Sequence, residues 1–190
     1  MEKNILLING ATRKNGNTDI IVKKIVEGAE SNNIQLNAIE LKKLKMSDCT
    51  GCYNCFKEVR CPYDDDMQPI YKDVEKSELI ILVSPMYWWF VTGLMKMFLD
   101  RLYLYYPRRN TGILSEKKAI IITPMFVSNV EKESGILVEF YRLILKRLGI
   151  TIANKFFFSG LSEKNDVLNH PEYLDTAFKL GQNLHSYLEK

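Results

Sequence analysis

Four cysteines lie close together in the chain, and they are the residues with the most evident chemistry. Their spacing is C-x2-C-x2-C-x5-C, and the sequence contains no others: Cys49, Cys52, Cys55 and Cys61. Three thiols at intervals of three residues, followed by a more distant fourth, have the spacing style of a cuboidal iron–sulfur cluster. A lone zinc site more often uses two separated pairs of cysteines. Free thiols or disulfides are a further alternative, and the spacing alone leaves all three open.

A second segment has residue types suited to binding an anion. It runs from Asn9 to Thr18 and is rich in small and hydroxyl residues. It lacks both the G-x-G-x-x-G pattern and the G-K-[ST] of a P-loop. Because a helix is predicted to follow, its backbone amides could hold a phosphate group together with the side chains of Thr12, Arg13, Asn17 and Thr18. The alternative is an ordinary turn between a strand and a helix.

A third segment, from Ser84 to Gly93, is aromatic and contains the run Met86-Tyr-Trp-Trp-Phe90. It follows an apolar strand-like run, where ligands bind in many sheet proteins. Aromatic side chains at that place can pack on a planar ring system, while the loop amides bond its polar edge. The alternative is an apolar patch that packs against a second subunit.

The elements that would position these segments alternate along the chain. The predicted strands are Ile5–Ile8, Ile34–Ile39, Glu78–Val83, Lys118–Thr123 and Thr151–Phe158. Helical patterns follow Asn17-Thr18 and Asp64-Asp65-Asp66, and then cover Gly93–Leu104, Gly135–Leu148 and Tyr173–Leu188. Alternation of strands and helices predicts a doubly wound parallel sheet of five strands with helices on both faces. Ligands in such folds bind at the carboxyl ends of the strands.

Composition limits the class of protein. The chain has 190 residues, of which 46% are hydrophobic and 26% charged, and its net charge is +3. These values predict a single globular domain covering residues 1–190, with the cysteine-rich loop at about 45–63. The small net charge argues against nucleic acid as a partner. We see neither a secretory signal nor a membrane span, so we expect a cytoplasmic protein with reduced thiols.

Several short motifs together resemble the flavodoxin-like NAD(P)H-dependent FMN reductase family, especially its iron–sulfur flavoprotein branch. The first is Gly10-Ala-Thr-Arg-Lys-Asn-Gly-Asn-Thr18, in which Ala11 stands where the family commonly has serine. The others are Asp65-Asp66-Met67, Pro85-Met-Tyr87, and Lys96 followed after three residues by Asp100-Arg101. The resemblance implies the strand order 2-1-3-4-5 and an FMN cofactor.

The resemblance also implies a set of site residues. The cofactor-binding residues it suggests are Ala11, Thr12, Arg13, Asn17, Thr18, Pro85, Met86, Tyr87, Trp88, Trp89, Phe90 and Thr123. In the iron–sulfur branch, a [4Fe-4S] cluster is held by four closely spaced cysteines in the loop where Cys49, Cys52, Cys55 and Cys61 lie. Other relatives keep similar cysteines with no demonstrated cluster. No protein nucleophile or base is expected.

The expected function is an oxidoreductase that passes electrons through FMN. The donor would be NADH or NADPH, and the acceptor a small molecule or a protein. The resemblance further suggests a homodimer or homotetramer. Two alternatives remain open from the sequence: an electron carrier without its own nicotinamide chemistry, and a flavodoxin-like module that senses redox state or metals through its cysteines.

Overall fold

The structure, a computed structural model, describes residues 4–188 and contains one sheet of five parallel strands. The strands are β1 (Ile5–Asn9), β2 (Leu36–Glu40), β3 (Leu79–Val83), β4 (Lys118–Pro124) and β5 (Thr151–Phe158). Their order is β2-β1-β3-β4-β5, which confirms the predicted topology. From β1 the chain adds β2 on one side and then β3, β4 and β5 on the other. The order of strand addition therefore switches between β1 and β3, and a crevice opens there at the carboxyl edge of the sheet.

Helices cover both faces of this sheet. They are α1 (Asn17–Ser31), α2 (Asn54–Lys57), α3 (Met67–Lys76), α4 (Gly93–Arg101), α5 (Val130–Glu133), α6 (Gly135–Leu148) and α7 (Pro171–Gln182). Two of them end earlier than predicted. The helix from Gly93 becomes a 3-10 segment, Leu102–Thr111, that contains Pro107, and the last helix ends at Gln182, before a short 3-10 segment. Proline cannot donate a backbone hydrogen bond, which favours this change of geometry.

Alternation along the central strands divides the core into two layers. Leu6 and Ile8 of β1 pack with α3, α4 and α6, whereas Ile5 and Leu7 pack with α1 and α7. Both β1 and β3 are buried along their whole length, which explains their uninterrupted apolar sequence. The two edge strands, β2 and β5, are partly exposed along their length.

Helices α1 and α7 cross at a very short distance on one face. A Cβ at Gly28 would lie 2.1 Å from the carbonyl oxygen of Phe178, and one at Gly181 would lie 2.0 Å from that of Ile25. Only glycine permits this approach of the two backbones. The contact holds the amino-terminal half of the molecule against its last helix.

Candidate functional site

The loop after β1 is fixed against helix α4 at its base. Gly10 donates its amide to the Val83 carbonyl at 2.8 Å, and the Thr92 hydroxyl donates to the Gly10 carbonyl at 2.6 Å. A Cβ on Gly10 would lie 2.9 Å from Cβ of Met95, so a larger residue would push α4 away. The first loop therefore lies next to the loop after β3.

Helix α1 begins at the end of this first loop. Gly16 is the residue before the helix, and no side chain caps the helix. Asn17 instead donates to the Glu163 carbonyl at 2.8 Å and accepts from the Val167 amide at 3.2 Å. Asn17 thus ties α1 to the loop after β5. First-turn amides of a helix have no partners within the helix and carry partial positive charge.

The aromatic loop after β3 is a tight two-residue hairpin. Tyr87 and Phe90 exchange backbone hydrogen bonds of 2.9 and 3.0 Å, and the turn consists of Trp88 and Trp89. Their φ angles are 53° and 59°, a left-handed conformation that favours glycine and asparagine. Such strain is typical of functional sites.

Three aromatic side chains of the hairpin have different surroundings. Trp88 is 90% exposed. Trp89 donates its indole N–H to a carboxylate oxygen of Glu133 on α5. The ring of Phe90 packs against Phe140 of α6 at 4.3 Å between centroids. The two-residue turn therefore leaves one tryptophan free at the edge of the crevice and anchors the other.

The first loop, the hairpin and the loops after β4 and β5 enclose a cavity of about 390 Å³ at the carboxyl edge of the sheet. The Thr12 and Tyr87 hydroxyls are 3.2 Å apart, so they join the first loop to the hairpin. Phe126, which is 70% exposed, and Ser162 belong to the opposite wall. A volume of this size is typical of cofactor sites.

A buried polar atom lies beneath this edge of the sheet. Thr123 of β4 is 1% exposed, and its hydroxyl has no hydrogen-bond partner among the described residues. Buried hydroxyl groups normally have partners, since an unsatisfied one costs free energy. Its position at the end of β4 makes it a candidate donor to a molecule bound in the crevice.

The cysteine-rich loop is attached to the rest of the protein through Arg101, the last residue of α4. Arg101 is 2% exposed and donates to both carboxylate oxygens of Asp65, at 2.6 and 3.0 Å. It also donates to the Ser47 carbonyl at 2.8 Å, while Asp65 accepts from the Ser47 amide at 3.1 Å. One buried guanidinium thus joins both ends of the loop, and we call this arrangement the Arg101 clasp.

Burial alone would raise the pKa of Asp65. The hydrogen bonds from Arg101 and from the amides of Ser47 and Met67 outweigh that effect, so the pKa of Asp65 lies below its ordinary value. The adjacent Lys96–Asp100 pair is different, because both side chains are more than 40% exposed. Arg101 therefore has a structural role in this fold, because it holds both ends of the cysteine loop.

The four thiols differ in their surroundings. Cys49 and Cys52 are exposed, Cys55 and Cys61 are half-buried, and all four are free. Burial raises the pKa of Cys55, and the nearby charges of Cys49, Cys52 and Cys61 raise it further. Within residues 4–188, no group of three or more His, Cys, Asp or Glu side chains is arranged to hold a metal ion. The thiols as arranged here do not fit an iron–sulfur cluster.

Comparison with known proteins identifies the family. A sequence model described as NADPH-dependent FMN reductase matches residues 3–161, which is most of the chain. The chain belongs to this FMN reductase family. The match confirms the resemblance found in the first loop and in the hairpin.

Two similar proteins are both named iron-sulfur flavoproteins. One, from Clostridioides difficile, is 34% identical over 122 residues, covering 63% of this chain and 52% of its own length. The other, from Archaeoglobus fulgidus, is 34% identical over 98 residues, covering 52% of this chain and 44% of its own. The chain thus spans about half the length of the curated relatives it matches.

A solved structure of the NAD(P)H:quinone oxidoreductase from Methanothermobacter marburgensis has a similar fold. It aligns with a TM-score of 0.75 at 13% identity, covering 97% of this chain and all of that one. At this identity the likeness concerns the fold alone. It agrees with the flavodoxin-like topology of this FMN reductase family member.

Nine of the twelve predicted cofactor-binding residues line the cavity: Ala11, Thr12, Arg13, Asn17, Thr18, Pro85, Met86, Tyr87 and Trp88. Of the other three, Trp89 binds Glu133, Phe90 packs into the core, and Thr123 is buried beneath the edge. Sequence reasoning missed the opposite wall, formed by Pro124, Met125, Phe126, Leu161 and Ser162, and it missed Gly16. The ends of the predicted fourth and fifth strands could have indicated that wall, because its residues lie at or just after those ends.

Proposed function

We propose that this member of the FMN reductase family is an oxidoreductase that binds FMN in the cavity at the carboxyl edge and receives electrons from NADH or NADPH. One observation carries the proposal: the hydroxyl-rich first loop and the aromatic hairpin line the same cavity. FMN, when bound, supplies the redox chemistry, and the protein supplies orientation and electrostatic tuning. The electrons then pass to an acceptor, which is a small molecule or a protein.

The first loop is suited to the phosphate end of the cofactor. The amides of Thr12 and Arg13 make no hydrogen bond to any residue between 4 and 188. The helix that follows adds its free first-turn amides. Thr12 and Thr18 have hydroxyl groups on the cavity wall, and Arg13 adds a positive charge. We infer that these groups bind the phosphate, with Asn17 holding the loop after β5.

The hairpin and the far wall are suited to the ring end. Pro85, Met86 and Tyr87 provide an apolar surface and a hydroxyl group, and Phe126 provides an aromatic ring on the other side. Such a slot excludes water from one side of a planar ring and leaves the other side accessible. We infer that the Thr123 hydroxyl bonds the polar edge of that ring.

The test is to identify the flavin and its reductant. The protein is incubated with FMN, desalted and denatured, and the released chromophore is identified by mass. Bound flavin is then mixed anaerobically with NADH or NADPH, and its absorbance is followed. We expect FMN in a 1:1 ratio and reduction by at least one nicotinamide. Recovery of FAD, or of no flavin, contradicts the proposal.

A second candidate is an electron carrier or a thiol-based sensor. The exposure of Cys49 and Cys52 favours it, because exposed thiols react readily. FMN binding without reduction by either nicotinamide would support the carrier. A change of assembly on thiol oxidation, with no turnover of any acceptor, would support the sensor.

We also propose that the cysteine loop binds a [4Fe-4S] cluster after rearrangement. The spacing of its four cysteines and the name of the iron–sulfur relatives support this. Because no metal-holding group is found among residues 4–188, we assign no electron-transfer step to a cluster. Anaerobic reconstitution with iron and sulfide should give about four of each per chain. Uptake of one zinc ion, or of no metal, contradicts the proposal.

Assembly into a homodimer or homotetramer is a further part of the proposal. Trp88 and Phe126 expose 90% and 70% of their surface at the edge of the cavity. Exposed aromatics in one patch often mark an interface. Native mass spectrometry of the protein and of Trp88→Ala tests this, and a parent that remains monomeric excludes it. Among the described residues, no helix is long and apolar enough to cross a membrane.

A further inference from the structure

The carboxylate of Asp19 lies directly beneath the first loop and has four hydrogen bonds. Asp19 accepts from the side-chain amide of Asn9 at 2.9 Å and from the backbone amide of Asn15 at 2.8 Å. It also accepts from Nζ of Lys42 at 2.7 and 2.6 Å, one bond to each oxygen. The side chains of Lys42 and Asp19 are 11% and 18% exposed, so this ion pair is largely shielded from water.

These contacts determine the shape of the loop. The hydrogen bond that the Asn15 amide donates to Asp19 holds Asn15 in a left-handed conformation with a φ of 52°. Lys42 donates a further hydrogen bond to the Arg13 carbonyl at 3.3 Å. Asn9, positioned by Asp19, accepts from the Ala11 amide at 2.9 Å. Residues 11, 13 and 15 are thereby anchored from beneath, while the amides of Thr12 and Arg13 are left free among the described residues.

The charges also balance. An unpaired carboxylate beneath an anion site would repel a phosphate. Lys42 neutralises Asp19, and Glu40, which lies 3.3 Å from Lys42, is paired with Lys43 at 2.6 Å. Removing Lys42 alone leaves a partly buried carboxylate next to the loop, which is worse than removing both charges together. The pair is therefore expected to behave as a unit.

We propose that Asp19 and Lys42 are positioning residues for the cofactor phosphate, although neither side chain lines the cavity. They hold the first loop in the conformation in which its amides are free to bind an anion. This inference rests on the proposed binding of FMN. It concerns the phosphate alone, so it makes a specific prediction about riboflavin, which has the same ring and no phosphate.

The experiment compares the dissociation constants of FMN and riboflavin, measured by fluorescence titration, in the parent and in variants. Lys42→Met and Asp19→Ala should each weaken FMN binding about tenfold or more, and should leave riboflavin binding unchanged. Asp19→Asn, which keeps one acceptor for the Asn15 amide, should weaken FMN binding less than Asp19→Ala does. In the double variant Asp19→Asn/Lys42→Met, the loss of FMN binding free energy should be smaller than the sum of the losses in the two single variants. Lys23→Met is the control and should bind both flavins like the parent, because the Lys23 side chain lies on the same helix and is 78% exposed.

Each outcome separates the two proposals. A parent that binds no flavin, or binds riboflavin as tightly as FMN, overturns the proposed phosphate site itself. A parent selective for FMN with variants that keep this selectivity overturns the role of Asp19 and Lys42. An equal loss of affinity for FMN and riboflavin also overturns the role of Asp19 and Lys42, because a general loss of structure would then be the cause. If Asp19→Ala does not fold, as judged by circular dichroism, Lys42→Met and Asp19→Asn decide the question.

Discussion

At the scale of single residues, the hydroxyl group of Thr123 is the feature that most directly tests the proposed cofactor site. It is buried without a partner in the described part of the protein, whereas the equally buried hydroxyl of Thr92 has two. Unsatisfied buried groups cost free energy that a ligand can recover. If the proposed contact with FMN forms, this hydroxyl favours the flavin-bound state over the free state.

Replacing Thr123 by valine should have opposite effects on stability and affinity. The free protein should become more stable by about 1 kcal/mol, since an unsatisfied polar group is replaced by an apolar group of similar shape. FMN affinity should fall by about tenfold. Urea unfolding of the flavin-free protein and an FMN titration measure the two effects. Thr92→Val, which breaks two bonds, should destabilise the protein, and similar losses in both variants would show that Thr123 has a partner.

The thiols should differ in reactivity. The thiolate is the reactive form, and burial raises the pKa of Cys55. We expect iodoacetamide to modify exposed Cys52 faster than Cys55 at pH 7. The difference should narrow as the pH rises through the pKa of Cys55. Peptide mass mapping at several pH values measures both rates, and equal rates at pH 7 would contradict the prediction.

At the scale of elements, the Arg101 clasp joins helix α4 to both ends of the cysteine loop. Breaking a buried ion pair by removing one partner costs about 3–5 kcal/mol, because the other charge is left buried. Arg101→Met should therefore lower the free energy of unfolding by about that amount and make the loop between residues 48 and 64 sensitive to protease. The neighbouring variant Asp100→Asn removes an exposed pair and should cost less than about 1 kcal/mol.

The same clasp should respond to acid. The pKa of Asp65 is lower in the folded protein than its ordinary value, about 3.9 in an unfolded chain. Its contribution to stability is therefore fully present above pH 4, and it is lost as the pH falls through the lower folded value. Limited acid proteolysis with pepsin, compared with Asp65→Asn, measures this. The same dependence on pH in Asp65→Asn, which lacks the carboxylate, would assign the loss of protection to another group.

At the scale of the whole molecule, stability depends on the crossing of α1 and α7. Gly→Ala within a helix usually stabilises a protein by about 0.5–1 kcal/mol. Gly28→Ala should instead destabilise it by about 1–3 kcal/mol, since the new methyl group meets the Phe178 carbonyl. Gly135→Ala, at the start of α6 with open space around it, is the control and should be neutral or stabilising. Urea midpoints for both variants measure the difference.

Local patterns allowed most of the fold to be predicted. Apolar runs of strand length between amphipathic segments indicated five strands, and the motifs of the first loop and hairpin indicated the strand order. Strand and helix periodicity are local properties, so they can be recognised in a short segment without the rest of the chain. The first loop and the residues Pro85–Trp88 were predicted for the same reason, because each is one continuous segment.

Contacts between distant segments were decided only by the tertiary structure. Asp19 meets Lys42, and Arg101 meets Asp65 and Ser47, across separations in sequence that no periodic pattern reports. The turn at Trp88 and Trp89 reverses the side-chain directions within a run of aromatics that looks uniform in sequence. Spacing alone suggested that the four cysteines could hold a metal, whereas no metal-holding group of side chains is found among residues 4–188. Burial and long-range hydrogen bonds arise only once the chain has folded, and they determine which of these residues are placed to act.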